Sequence, residues 1–110
     1  MKFHIHESEA KVIKNEHFDY IQLLDEKHGA VAACVAGVLS YTQEEFIQGG
    51  IHEDQEGFYV LEGSGAALVG ETEFQLSPGS CFMVPAGYYH AIKKDKHVPH
   101  IKLFFFHAAI

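Results

Sequence analysis

Short apolar runs recur along this chain at intervals of roughly 8–12 residues, each closed by Gly, Pro, Ser or acidic turn residues, and that rhythm confines the fold to packed β-strands. Residues 17–24 alternate, with Phe18, Tyr20 and Gln22 on one side and Ile21 and Leu23 on the other. Residues 30–39 predict a strand of small side chains suited to close packing. Further strands are predicted over 58–61, 66–69, 72–76, 81–84, 89–93 and 100–107, and Ser77-Pro78-Gly79 fits a type II turn. No segment sustains a helical period; residues 43–48 are long enough for one helical turn only. About ten short strands predict an all-β sandwich or small barrel, a closed architecture that leaves few free strand edges. With 110 residues and no linker or repeat, the expectation is one domain over residues 1–110.

Charge and residue usage narrow the function. The net charge is -7, and all the basic residues are lysines. Without arginine the chain lacks the usual reader of guanine and the bidentate clamp for carboxylate or phosphate, so a nucleic-acid partner is not expected. Cys34 and Cys81 form no CxxC pair and lie in apolar runs, which predicts buried free thiols. The N-terminal residues lack the plan of a signal peptide, and the longest apolar run, residues 30–39, is too short to span a bilayer. These features predict a cytoplasmic protein with no membrane partner.

Nine histidines are many for this length, and three positions stand out. His90 follows Pro85-Ala86-Gly87 at once, so a tight turn aims its imidazole from the start of a strand. His52 and Glu56 lie four apart, a helical spacing, but Gly49-Gly50 before them and Gly57 with a strand run after them argue against a helix. The segment predicts instead a hairpin with Glu53 and Asp54 at its tip. His4, His6, His17, His28 and His97 sit near the terminus or in polar turns and read as ordinary surface residues. His100 and His107 are seven apart, which places them on opposite faces of one strand, so at most one points inward; a surface or supporting role is expected for both. Of Tyr88 and Tyr89, one is expected to face the pocket. Residues 93–96 predict a solvated lysine-rich loop.

Gly79, Pro85, Gly87 and His90 match the second motif of the cupin family, in which Lys94 takes the place of the final Asn. His52, Glu56 and Gly63 match the first motif, in which Gly50 stands where the first His belongs and Glu44 where the leading Gly belongs. The chain thus resembles a single-domain cupin, and the resemblance implies a jelly-roll β-barrel with metal ligands at His52, Glu56 and His90. One divalent transition metal (Fe, Mn, Ni or Zn) is implied, together with a homodimer paired through an exposed sheet. The apolar run of residues 103–106 adds modest support for pairing.

Three arrangements answer the histidine missing at Gly50. Two His and one Glu bind a metal with water in the gap, the composition of a facial triad for Fe(II) and also of a catalytic zinc site. Another side chain fills the place, with Gln48, Asp54, His100 and His107 as candidates. Or metal binding is lost, leaving a pocket lined by His and Glu. Two functions follow. One is a small metalloenzyme acting on a compact organic molecule by oxygenase-type or isomerase/lyase-type chemistry. The alternative is a non-catalytic module that binds or senses a small ligand. No catalytic residue beyond the ligands is assigned; Glu53 or Asp54 near the mouth is a possible base, with a solvated tip the simpler reading.

Overall fold

The computed structural model describes residues 1–110 and contains ten strands with only two short 3-10 turns. The strands are β1 (Ile13–Lys14), β2 (Phe18–Leu24), β3 (Val35–Tyr41), β4 (Gly49–Gly50), β5 (Gln55–Glu62), β6 (Gly65–Val69), β7 (Thr72–Leu76), β8 (Cys81–Val84), β9 (His90–Lys94) and β10 (Ile101–Ala108). They form two antiparallel sheets, one ordered β1-β2-β3-β10-β5-β8 and the other β4-β9-β6-β7. No helix is long and apolar enough to cross a membrane.

The core lies between the sheets and follows the two-residue period of the strands. In β10, Ile101, Leu103 and Phe105 are fully buried, while Lys102, Phe104 and Phe106 point the other way. Phe58 and Val60 of β5, Leu39 of β3 and Ile92 of β9 complete the same cluster. Phe58 stacks on Phe82, their centroids 4.8 Å apart. Each of these large side chains contributes about 1.5–3 kcal/mol by leaving water, so this packing holds the framework on which the polar cluster described below rests.

The turns behave as their sequences dictate. Gly79 has φ of 95° and Ser80 donates to the Ser77 carbonyl at 2.9 Å, as a type II turn requires. The strand expected over 30–39 instead begins at Val35. Residues 31–34 form a turn in which Cys34 donates to the Val31 carbonyl at 3.1 Å, with Ala32 and Ala33 both at positive φ. Alanine's single methyl keeps the cost of that conformation to about 1–2 kcal/mol per residue. This turn leaves Cys34 exposed, and Cys81 points outward from β8, so neither is the buried thiol expected. Residues 43–48 form bends rather than a helical turn. Gln43 supplies the reason: its buried amide binds the carbonyls of Ile92 and Gln48 and the Gln48 N–H, pinning the loop to β9.

The lysine-rich stretch is not all loop. Lys93 and Lys94 belong to β9, and Lys94 is buried with its Nζ 2.9 Å from a Glu44 carboxylate oxygen. The ion pair holds the Glu44 carboxyl below its usual range. Glu44 and Lys94 are two of the departures from the cupin motifs, and here they are partners. The pair makes each substitution intelligible through the other.

Candidate metal centre

His52, Glu56 and His90 come together from three different places. His90 is the first residue of β9, and the preceding turn is locked by two hydrogen bonds: Tyr88 donates to the Pro85 carbonyl at 3.2 Å, and Gly87 donates to the His52 carbonyl at 2.8 Å. The second bond ties the two motif halves together through the backbone. His52 lies not in a hairpin but in a crossing. Gly49 and Gly50 pair with β9 in one sheet, whereas β5 pairs with β10 and β8 in the other, so residues 51–54 pass between sheets. The crossing delivers His52 to the cavity side, and Glu56 follows on the inward face of β5.

The geometry is that of a converging donor set. The ligand atoms of His52, Glu56 and His90 all lie within 4.8 Å of one another. The Nε2 atoms of His52 and His90 are 3.3 and 3.4 Å from Glu56 Oε1. Glu56 is only 3% exposed, yet Oε1 makes no hydrogen bond, nor does the buried Nδ1 of His90. A buried carboxylate oxygen without a hydrogen bond is costly unless a cation satisfies it. Two imidazole nitrogens and a carboxylate oxygen are the donor types that bind divalent transition metals, so the residues present fit such an ion.

Electrostatics agree with that fit. Burial alone would raise the Glu56 carboxyl, but the imidazoles of His107 and His90 beside it hold it down at about 2. The carboxylate is therefore charged at any ordinary pH, with no lysine near it. Burial and the charge of Glu56 push the phenol of Tyr41 upward, and the same causes, with Asp25, raise Tyr20. Both rings stay neutral where they face the site, and the Tyr20 hydroxyl donates to Gln22 at 2.6 Å.

Of the two histidines of which at most one was expected inward, His107 is the inward one. It continues the inward row of Ile101, Leu103 and Phe105, stands opposite Glu56 in the β10–β5 register, and brings Nε2 to 3.2 Å from Glu56 Oε2. Its Nδ1 hydrogen-bonds Asp54 at 3.0 and 3.2 Å. Glu56 and, after it, Asp54 raise the imidazole's pKa above its ordinary value against the opposing effect of partial burial. The signal was the strand parity: three inward apolar residues two apart lead to position 107. His100 falls on the other parity, outside, 3.0 Å from Glu62. Of the other candidates, Gln48 lines the cavity and Asp54 serves His107 rather than the donor set.

Two spaces flank the donors and share Phe18, Tyr41, His52 and His90 in their walls. One, of about 130 Å³, is lined by Phe18, Tyr41, Gln48 and Gly50 beside His52 and His90. The other, of about 190 Å³, is walled by Phe18, Tyr20, Leu39 and Tyr41 and reaches Glu56 and His107. Gly50 borders the first: a Cβ added there would meet only His52 Cε1, at 3.9 Å. Neither Tyr88 nor Tyr89 lines either space. Tyr88 packs against Gly70 and Tyr89 against Gly49, so both rings cover the outside of the small sheet.

A family model described as the cupin domain matches residues 38–106, and the chain belongs to that family. The fold is shared with solved structures at low identity. Hydroxypropylphosphonic acid epoxidase from S. wedmorenis superposes with a TM-score of 0.79 at 20% identity, over 94% of this chain and 58% of that one. The Fe(II) form of this epoxidase (HppE) with substrate gives 0.80 at 19%, over 94% and 59%. The polyketide cyclase RemF from Streptomyces resistomycificus gives 0.77 at 19%, over 97% and 80%. The chain thus spans less than two thirds of the epoxidase's length, and these likenesses establish the fold. No curated protein matches the sequence.

Proposed function

We propose that this cupin is a small metalloenzyme that holds a divalent transition metal through His52, Glu56 and His90 and acts on a compact organic molecule. The observation that carries the reading is the unbonded, buried Oε1 of Glu56, faced by two imidazole Nε2 atoms at the wall of a cavity. A metal bound there would supply Lewis acidity or, as Fe(II), the capacity to engage dioxygen. The protein's own groups do the rest. Glu56 brings the negative charge, and the two imidazoles set the approach from the crossing and from β9. Phe18, Tyr20 and Tyr41 keep bulk water away and present neutral surfaces. Gln48 is the polar side chain lining the space beside Gly50, placed to orient a bound molecule. The spaces of about 130 and 190 Å³ beside the donors suit a compact molecule. The lack of arginine favours a substrate that is neutral or that uses its oxygens as metal ligands. Two structures of like fold are enzymes by name, an epoxidase solved with Fe(II) and a polyketide cyclase, which supports catalysis over simple binding.

Metal analysis of protein purified without added metal tests the reading. About one divalent ion per chain is expected, lost on His90→Ala. Substoichiometric metal that His90→Ala leaves unchanged would sink it. Iron with dioxygen uptake on a screen of small chelating molecules selects oxygenase chemistry; stoichiometric zinc or nickel without turnover selects the binding module.

We also propose that two copies pair, in the cytoplasm, through the outer face of the larger sheet. Tyr59, Leu61, Met83 and Phe106 are exposed there on neighbouring strands, which supports the pairing.

A further inference from the structure

Glu56 has two oxygens, and the molecule treats them differently. Oε1 faces the Nε2 atoms of His52 and His90 and has no hydrogen bond. Oε2 faces a third imidazole, His107, whose Nε2 is 3.2 Å away. That ring has several fixed neighbours. Its Nδ1 is held by both oxygens of Asp54 at 3.0 and 3.2 Å. It stands edge-on to His52, with centroids 5.2 Å apart and planes at 81°, and edge-on to Phe105 at 5.7 Å and 79°. Its backbone stands directly opposite Glu56 in the ladder of β10 with β5.

We infer that His107 is a positioning residue rather than a metal ligand: with Asp54 behind it, it occupies Oε2 and so turns Glu56 to offer Oε1 alone to the cation. The inference rests on the proposed metal site. A carboxylate on a hinge of single bonds otherwise moves between one-oxygen and two-oxygen coordination. A fixed partner on Oε2 removes that freedom, and supporting partners of this kind typically change metal affinity by about 10- to 100-fold. The tight donor cluster of His52, Glu56 and His90 stands without His107. The chain Asp54–His107–Glu56 ties β10 to the crossing segment and the adjoining start of β5, with 53 positions between Asp54 and His107.

The test uses the full chain and Co(II) and Cu(II) as probes. Calorimetric titration with Co(II) is run on the unaltered protein, His90→Ala, His107→Ala, His107→Gln and Asp54→Ala, with circular dichroism to verify folding. Pulsed electron paramagnetic resonance of the Cu(II)-loaded chains counts bound imidazoles. His107→Ala should weaken Co(II) about 10- to 100-fold with two imidazoles still bound, Asp54→Ala should weaken it less, and His107→Gln, whose amide N–H can reach Oε2, should recover most of the loss. Affinity unchanged in a folded His107→Ala would make the residue mere packing. A count falling from three to two would make it a ligand. Failure of Gln to rescue would remove the role assigned to the Oε2 contact. Either of the first two results, with His90→Ala still abolishing binding, overturns this inference and leaves the metal site standing. No binding by the unaltered chain overturns both.

Discussion

Gly50 and His107 flank the same three donors and are opposites. On the Gly50 side the place of a histidine is taken by a residue with no side chain, and a cavity opens there. On the His107 side an extra imidazole lies against Glu56, and the Asp54 carboxylate stands behind that imidazole. One flank has lost a group and the other has gained two. The gain does not repair the loss, because His107 meets the oxygen of Glu56 that His52 and His90 do not face. The contrast teaches that a motif can give up one donor position and open a space there, while the remaining candidate donors gain a neighbour from a strand that ends outside the motif.

Glu56 is where the two flanks meet, and Glu56→Gln should have the largest effect. It keeps the shape and removes the charge, so divalent metal affinity should fall by at least about 100-fold, read by calorimetry. An unchanged affinity would break the comparison at its centre. Next comes the pH dependence of the metal-free chain, which reads the crowded flank. Glu56, held at about 2 against an ordinary 4.5, contributes stability that is fully present above 4.5 and is lost as pH falls toward 2. That contribution is on the order of 3 kcal/mol. His107, raised above 6.5, contributes stability that is full below 6.5 and is lost as pH rises through its folded value. Urea midpoints should therefore be highest between about pH 4.5 and 6.5 and fall on both sides, and His107→Gln should flatten the alkaline limb. A pH-independent midpoint would remove the ionic account of that flank.

Filling the empty flank is a smaller change. Gly50→His has room, since its Cβ meets only His52 Cε1 at 3.9 Å. It should tighten metal binding by about tenfold, or about 1.4 kcal/mol, while reducing the space for a substrate. Unchanged affinity would mean that another group already serves that coordination position. The smallest effect is expected at His100, on the outer face with Glu62. His100→Ala should shift stability by less than about 0.5 kcal/mol and leave metal binding untouched. A loss of metal there would show that the inside and outside of β10 are not independent.

Much of this was legible in the residues. Apolar runs broken by turns placed most strands, and Thr72–Leu76 and Cys81–Val84 fall where expected. The Pro-Gly turns predicted how His90 is aimed, because proline and glycine act through local backbone angles. The glycines flanking His52 and Glu56 argued correctly against a helix despite the i,i+4 spacing, but not for a hairpin, because the choice between returning in one sheet and crossing to the other depends on partners far away. The lysines at 93 and 94 looked solvated for the same reason: Glu44, the partner of Lys94, lies fifty residues earlier. Cys81 looked buried in an apolar run, but its strand parity faces outward with Met83.

His107 shows where the boundary falls. The sequence by itself determined a β-rich chain of the cupin family, singled out His52, Glu56 and His90 as candidate donors and Gly50 as the place of a missing histidine, and required His100 and His107 to face opposite ways. The strands and the opposed facing of His100 and His107 follow from turn chemistry and side-chain period, and the candidate donors and the gap at Gly50 from the resemblance to the cupin motifs; all are local to one stretch of chain. Only the tertiary structure decided which of the two faces inward, that it stands beside Glu56, and that Asp54 lies behind it. These depend on the register between β10 and β5 and on the path of residues 51–54 between the sheets. A register is fixed by the packing of the whole core, since a slip of one residue would turn His107 outward and bring Phe106 in.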